Sequence, residues 1–402
     1  MTQSIIQLIV VLSSLILVPD GGDKKIQELQ ITADFPGGNI IVDSIQGSTV
    51  YLRPDLRDTD HDWFYWYYAV KSNRSDSIRF VFNKKDCLTV KGPAVSRDGG
   101  KSWNWLFEGT VSDNEFTAYI KAGEDIRFSM GMPYTQANFD AFMQPYRNHS
   151  SVKIDTLCIT PKGRATERLV IHPSGKKSIR RKILITARHH ACEMMANYVM
   201  EGMVAAVLSD DPAMKSLRES TEFWIVPFMD KDGVEDGDQG KYRAPRDHNR
   251  DYDGKSIYCS TAALREQVPA WGQNKLEVMM DLHCPWIKGP LNEVIYLVGS
   301  SKPAIEKQQR LFMDQVAAQN RGPLKFDMTQ GIVAYGTAWN TSSNTTQGMS
   351  SSQWGETIPG IRLVSSFEFP YSVHNREPMT AEKLRLFGRD MAFALTGYLK
   401  QK

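Results

Sequence analysis

Net charge is almost absent from this chain: 48 Lys and Arg against 46 Asp and Glu leave +2 at neutral pH. Such a balance provides no basic stripe and excludes nucleic acid as an expected partner. Long apolar runs are equally scarce. The stretch Ile5–Val18 has the length of a signal-peptide core and is too short for a comfortable transmembrane helix, so no stable membrane span is expected. Its flanks are imperfect, with no Lys or Arg in Met1–Ser4 and no small-residue cleavage site before Pro19-Asp20-Gly21-Gly22. A secreted or periplasmic protein is expected, with a cytoplasmic one left open. Cysteine is sparse and odd in number: Cys87, Cys158, Cys192, Cys259 and Cys284 form no Cys-x-x-Cys pair, and they leave compartment and disulfide pairing open. The 41% hydrophobic and 23% charged residues are those of an ordinary globular chain and exclude a disordered one.

Against this unremarkable background one stretch stands out. His190-Ala191-Cys192-Glu193 comes directly after the apolar run Lys182–Ala187. A His and a Glu three residues apart, where a buried strand gives way to a helix, can both turn toward one zinc ion. A third ligand is needed, and His283 ends the next strong strand candidate, Val278–His283. Three protein ligands with an open fourth position form the catalytic rather than the structural pattern of zinc binding. The bland alternative is a surface His beside a Glu that favours a helix start.

From about Ile26 to Met130 the pattern is of short strands separated by turns such as Gly37-Gly38 and Asp98-Gly99-Gly100, the spacing of an antiparallel sandwich. Its aromatic stretch Trp63–Val70 reads as sandwich core and as contact with the next domain, ahead of a carbohydrate platform. Beyond Pro133 the pattern changes to strands alternating with helices. Strands are expected at Val152–Ile159, Arg168–His172, Lys182–Ala187, Glu222–Pro227, Val278–His283, Val294–Gly299 and Arg362–Phe369. Helices are expected at Asn138–Tyr146, from Glu193 to Leu208, at Pro303–Asn320 and at Thr380–Gln401, with Thr380 as N-cap. Alternation of this kind implies a largely parallel sheet covered on both faces.

Taken in order, His190-x-x-Glu193, Asp232-Gly233-Val234, Lys241-Tyr242-Arg243, Asp247-His248-Asn249-Arg250, His283 and Phe367-Glu368 resemble the zinc metallocarboxypeptidases, in the cytosolic-carboxypeptidase-like branch that carries a β-sandwich ahead of the catalytic domain. The resemblance implies an α/β/α sandwich around a mostly parallel mixed sheet, preceded by an antiparallel β-sandwich. Together with the apolar run Ile5–Val18, it divides the chain into an expected signal peptide or anchor at 1–24, a β-sandwich at 25–130 and a catalytic domain at 131–402. It implies one Zn2+ per chain on His190, Glu193 and His283, with Glu368 as general base and Arg243 facing the oxyanion. Asn249 and Arg250 would take the free carboxylate of a peptide or protein C-terminus, and Asp247 would orient His190. A zinc amidohydrolase acting on N-acyl amino acids or peptidoglycan stem peptides, and a non-catalytic peptide-binding homologue, are the other readings; oligomeric state is open. Two departures are visible. Cys192 stands where digestive members have Arg and the sandwich-bearing branch usually has Gly, and Gln347–Trp354 lacks the substrate-closing tyrosine, leaving Tyr335 and Tyr371 as loose substitutes.

Overall fold

The structure is a computed structural model and describes residues 29–106, 111–174 and 178–401. The expected leader at 1–24, with its apolar run Ile5–Val18, lies outside the described residues. No helix among the described residues is long and apolar enough to cross a membrane.

The first part of the chain forms two sheets. One joins β1 (Leu29–Thr32), β4 (Tyr67–Ser72), β9 (Ile126–Ser129), β6 (Ala94–Ser96) and β7 (Asn104–Trp105); the other joins β2 (Ile41–Gln46), β3 (Thr49–Arg53), β5 (Asp76–Phe82) and β8 (Glu115–Ile120). Between them Trp66, Tyr68, Phe80, Phe82, Phe116 and Phe128 are buried, with ring centroids 4.8–6.4 Å apart in the pairs Trp66–Phe82, Trp66–Phe116, Tyr68–Phe128 and Phe80–Phe116. Strand pairing is antiparallel with one departure from the expected pattern: β3 runs parallel to β5. The aromatic stretch also faces the rest of the molecule, where Trp63 and Phe64 pack on Trp286 at 4.6 and 4.9 Å and Phe64 on Tyr371 at 5.7 Å. These rings are core, as expected, and no carbohydrate platform forms from them.

The second part is an eight-stranded mixed sheet in the order β10 (Val152–Ile159), β11 (Ala165–Ile171), β13 (Thr221–Val226), β12 (Arg181–Ala187), β14 (Leu276–His283), β17 (Leu363–Glu368), β15 (Tyr296–Val298) and β16 (Ile332–Val333). The central strands β13, β12, β14 and β17 are mutually parallel. Alternation along β12 sends Ile183 and Ile185 into one core and Leu184 into another on the opposite face. Helices Met195–Leu208, Pro303–Gln319 and Ala381–Tyr398 cover the first face, and helix Cys259–Gly272 covers the second. Met195–Leu208 and Ala381–Tyr398 touch backbone to backbone because Gly202 and Gly388 stand at the crossing. A Cβ on either would lie 1.9 Å from the other helix's carbonyl oxygen, of Arg385 or Val199. Thr380 caps the last helix as expected, its Oγ1 accepting from Lys383 N at 3.2 Å. Helix Cys259–Gly272 has no counterpart in the sequence expectation, because its sparse apolar positions give a weak 3.6-residue period.

Candidate metal centre and active site

Parallel strands bring their carboxyl ends to one edge, the place where open α/β sheets gather ligands. Register makes this concrete here: His283, the last residue of β14, lies directly opposite Glu368, the last residue of β17, and β12 ends beside them at Ala187. Past Ala187 the chain turns through Arg188 at φ +62°. The Arg188 guanidinium pins the turn by donating to Ala191 O at 3.0 Å, Tyr134 O at 2.9 Å and Asn197 Oδ1 at 2.9 Å. Gly240 lies against the same turn at φ +78°, where a Cβ would sit 2.1 Å from Ala191 N, so only glycine allows the approach.

His190 Nδ1 lies 2.7 Å from Glu193 Oε1, and His283 Nδ1 lies 2.8 Å from Glu193 Oε2. All three side chains are buried, and their ligand atoms lie within 4.8 Å of one another. The other nitrogen of each ring is already committed: His190 Nε2 faces Asp247 Oδ1 at 3.0 Å and His283 Nε2 faces Asp281 Oδ2 at 2.7 Å. A ring that donates from Nε2 to a carboxylate offers a lone pair at Nδ1, so two lone pairs and a carboxylate meet at one point. Charge agrees. Burial opposes ionisation of Glu193, yet His190 and His283 hold it below the usual carboxylate range. Burial likewise opposes protonation of His283, yet Asp281 and Glu193 raise it well above an ordinary imidazole, so a metal on Nδ1 would have to displace a proton that these carboxylates favour. The donor set is that of a His2Glu zinc site, and these residues fit the ion.

Asp281 is itself fixed from three sides, accepting from Thr186 Oγ1 at 2.8 Å and from Ser351 Oγ, and facing His189 Nδ1 at 2.8 Å. His189, the residue before the expected ligand, therefore belongs to the support of His283. Asp247 caps the short turn His248–Arg250, with Oδ1 accepting from Asn249 N at 2.7 Å and Oδ2 from Tyr242 N at 3.0 Å. Burial opposes its ionisation, and the neighbouring His190 holds it well below the ordinary range.

Glu368 shares one pocket with His190, His283, Lys241, Asn249 and Arg250. Its Oε2 is buried and has no hydrogen-bond partner among the described residues. Burial, with Glu193 adding repulsion and His283 opposing it, pushes the carboxyl up to about 7. Arg250 donates to Asn249 O at 2.7 Å and to Asn344 O at 2.8 Å, which sets its guanidinium in the pocket wall. Asn249 accepts at Oδ1 from Ser351 N at 2.8 Å, and its Nδ2 lies 3.4 Å from His283 Nε2.

Arg243 does not come to this pocket, and its expected place at the oxyanion is corrected. Its guanidinium donates to Asp238 Oδ2 at 2.8 Å and to Asp230 Oδ2 at 2.5 Å and lies 3.5 Å from Asp58 Oδ2. Three carboxylates hold it there, directly after Tyr242 at a left-handed φ of +48°. Lys241, two residues earlier, lines the pocket instead. The turn that presents it is anchored from the sandwich: Asp58 accepts from Gln239 N at 3.0 Å and from Gly240 N at 2.8 Å, and Gln239 Oε1 accepts from Tyr65 N at 2.8 Å. The Lys-Tyr-Arg triplet was the available signal, but sequence could not say which cation points inward. Of the tyrosine substitutes, Tyr335 lines the pocket at 47% exposure, whereas Tyr371 is buried against Phe64 and Cys192. Cys192 and Cys284 are buried thiols raised by that burial, not ligands.

A family model described as zinc carboxypeptidase matches residues 140–274. Cytosolic carboxypeptidase 6 of Caenorhabditis elegans is 24% identical over 287 residues, covering 63% of this chain and 62% of that protein. Cytosolic carboxypeptidase 3 of Bos taurus is 28% identical over 329 residues, covering 71% of this chain and 32% of that protein. The chain thus spans less than two thirds of the length of either relative. Among solved structures, a metallo-carboxypeptidase from Burkholderia cenocepacia has a TM-score of 0.75 at 20% identity, covering 92% of this chain and 98% of that one, a likeness of fold.

Proposed function

We propose that this chain, whose residues 140–274 match the zinc carboxypeptidase model and which resembles cytosolic carboxypeptidases, is a metallocarboxypeptidase that hydrolyses the last peptide bond of peptides or protein tails. The observation that carries the reading is the convergence of His190, Glu193 and His283 in a pocket that also holds Glu368 and the Arg250 guanidinium. Zinc on the His2Glu set would supply Lewis-acid polarisation of the scissile carbonyl and a water of lowered pKa. Glu368, raised toward neutrality by burial, takes the proton of the attacking water and returns it to the leaving amine. Arg250, whose Nε and Nη2 donate to Asn344 and whose Nη1 donates to Asn249 O, receives the substrate's terminal carboxylate through its positive charge and the remaining Nη1 N–H, with the Asn249 amide beside it. Asp247 fixes the ring of His190 by accepting its Nε2–H.

With Arg243 committed elsewhere, Lys241 is the cation of this chain that faces the carbonyl oxygen as it gains charge. An ammonium is a point donor rather than a fork, which suits a single oxygen. The decisive experiment measures the release of free amino acid from N-blocked dipeptides with and without a metal chelator. Zinc-loaded protein is expected to release the last residue, and Glu368→Gln to stop turnover while keeping about one zinc per chain. Activity that persists in chelator, or in Glu368→Gln, would overturn the assignment.

A further inference from the structure

The pocket extends past the metal ligands, and its charge is polarised along its length. Ser366 and Glu368 lie two residues apart on β17 and so point to the same face, with Ser366 further from the carboxyl end. Ser366 Oγ meets Ser352 Oγ at 2.5 Å, on the helix Ser351–Gly355. That helix starts at the metal side, where Ser351 N donates to Asn249 Oδ1, and runs away from it. Four residues on from Ser352, about 6 Å at 1.5 Å per residue, comes Glu356, also in the pocket wall. Lys241 and Arg250 therefore mark the end beside the metal, and Glu356 is the one charged side chain lining the other end among the described residues.

The rest of that wall is neutral, with Ser300, Ser301, Gln309, Ser352 and Gln353 beside Val298, and with the rings of Tyr335 and Trp339 also lining the pocket. Glu356 is only 8% exposed. It accepts from Ser300 Oγ at 2.5 Å and lies 3.4 Å from Lys302 Nζ, whose side chain is 49% exposed and outside the pocket lining. Lys302 approaches from the solvent side and also donates to Glu356 O at 3.2 Å, and a carboxylate has lone pairs for further donors from the pocket side. An apolar side chain placed there would strip hydroxyls and a carboxylate of water without replacing their hydrogen bonds. An acidic side chain would face Glu356 directly.

We propose that this pocket selects peptides whose C-terminal residue is basic, lysine or arginine, with the terminal carboxylate on Arg250 and the side-chain cation on Glu356. The proposal rests on the carboxypeptidase reading and names its substrate class. The test is a panel of N-blocked dipeptides differing only in a last residue of Lys, Arg, Leu or Glu, with zinc-loaded wild type and Glu356→Gln. A wild-type kcat/KM at least about tenfold higher for Lys and Arg than for Leu, and lower still for Glu, is expected. Glu356→Gln should compress the Lys-to-Leu ratio by about tenfold. A wild type that prefers Leu or Glu, or a ratio unmoved by Glu356→Gln, would overturn the proposal while leaving the carboxypeptidase reading intact. Should Glu356→Gln fail to fold, calorimetric titration of zinc-loaded wild type with free arginine and free leucine decides. Arginine should bind at least about tenfold more tightly, and equal binding would overturn the proposal. If no dipeptide in the panel is cleaved, the carboxypeptidase reading falls, and the same titration still decides what the pocket selects.

Discussion

Replacing Arg243 and Lys241 by alanine in turn tests the proposed division between a structural cation and a catalytic one. Its guanidinium is 14% exposed and serves Asp58, Asp230 and Asp238, whose side chains are 6%, 4% and 10% exposed. Removing one partner of a buried charge pair costs about 3–5 kcal/mol, because the other charge is left without compensation in a poor solvent for it. Here three carboxylates are left, but two reliefs apply. Asp238 keeps Arg57 at 2.8 Å, and burial, with repulsion from Asp58, already raises its carboxyl. The lower end of that range, about 3 kcal/mol at neutral pH, is therefore expected for Arg243→Ala. Lys241→Ala should stay within about 0.5 kcal/mol of wild type. Activity should divide the opposite way: Lys241→Ala should lose roughly 100- to 1,000-fold in kcat, the loss typical of one oxyanion donor. Urea unfolding of both variants measures the first pair of values, and dipeptide hydrolysis by the folded fraction measures the second. Arg243→Ala of wild-type stability and crippled kcat, with Lys241→Ala fully active, would refute the reassignment.

Asp247→Asn should weaken zinc binding by roughly 10- to 100-fold, since the amide no longer accepts a charge-assisted bond from His190; competition with a chromogenic chelator measures it, and unchanged affinity would remove Asp247 from the support of the site. His248 should make stability pH-dependent. Burial, reinforced by Arg243 and His189 and opposed by Asp230 at 3.8 Å and by Asp247, pushes its imidazole down to about 4. A histidine lowered on folding takes up its proton more readily when unfolded, so its contribution is complete above about pH 6.5 and is lost as pH falls toward 4, about 3 kcal/mol in all. His248→Gln should flatten that part of the unfolding profile, and an identical slope would show that other groups carry it.

The meeting of His190, Glu193 and His283 was legible in sequence because each comes at or after the end of a strongly apolar strand, and a parallel sheet delivers strand ends to one edge. Glu368 was legible for the same reason, its strand pairing in register with that of His283. What depends on side-chain direction in irregular backbone was not. Lys241 and not Arg243 lines the pocket, the two being separated by Tyr242 at positive φ, and a non-glycine left-handed residue has no reliable sequence signature. Nor did the parallel pairing of β3 and β5 show, since alternation reports which face is buried and not which neighbour a strand chooses. Asp281 and His189 escaped notice because a buried carboxylate that steadies a ligand through three other side chains is visible only once the strands are assembled.

Asp58, planted in the sandwich half, holds two amides of the strip that carries Lys241. The two halves of the molecule are thus not independent modules. Grafting the half that carries His190, Glu193 and His283 onto another scaffold, or exchanging sandwiches between homologues, would deliver that cluster intact with Lys241 adrift unless that one aspartate travelled too. Inheritance should therefore bind Asp58 to Gly240 as tightly as it binds the ligands to one another.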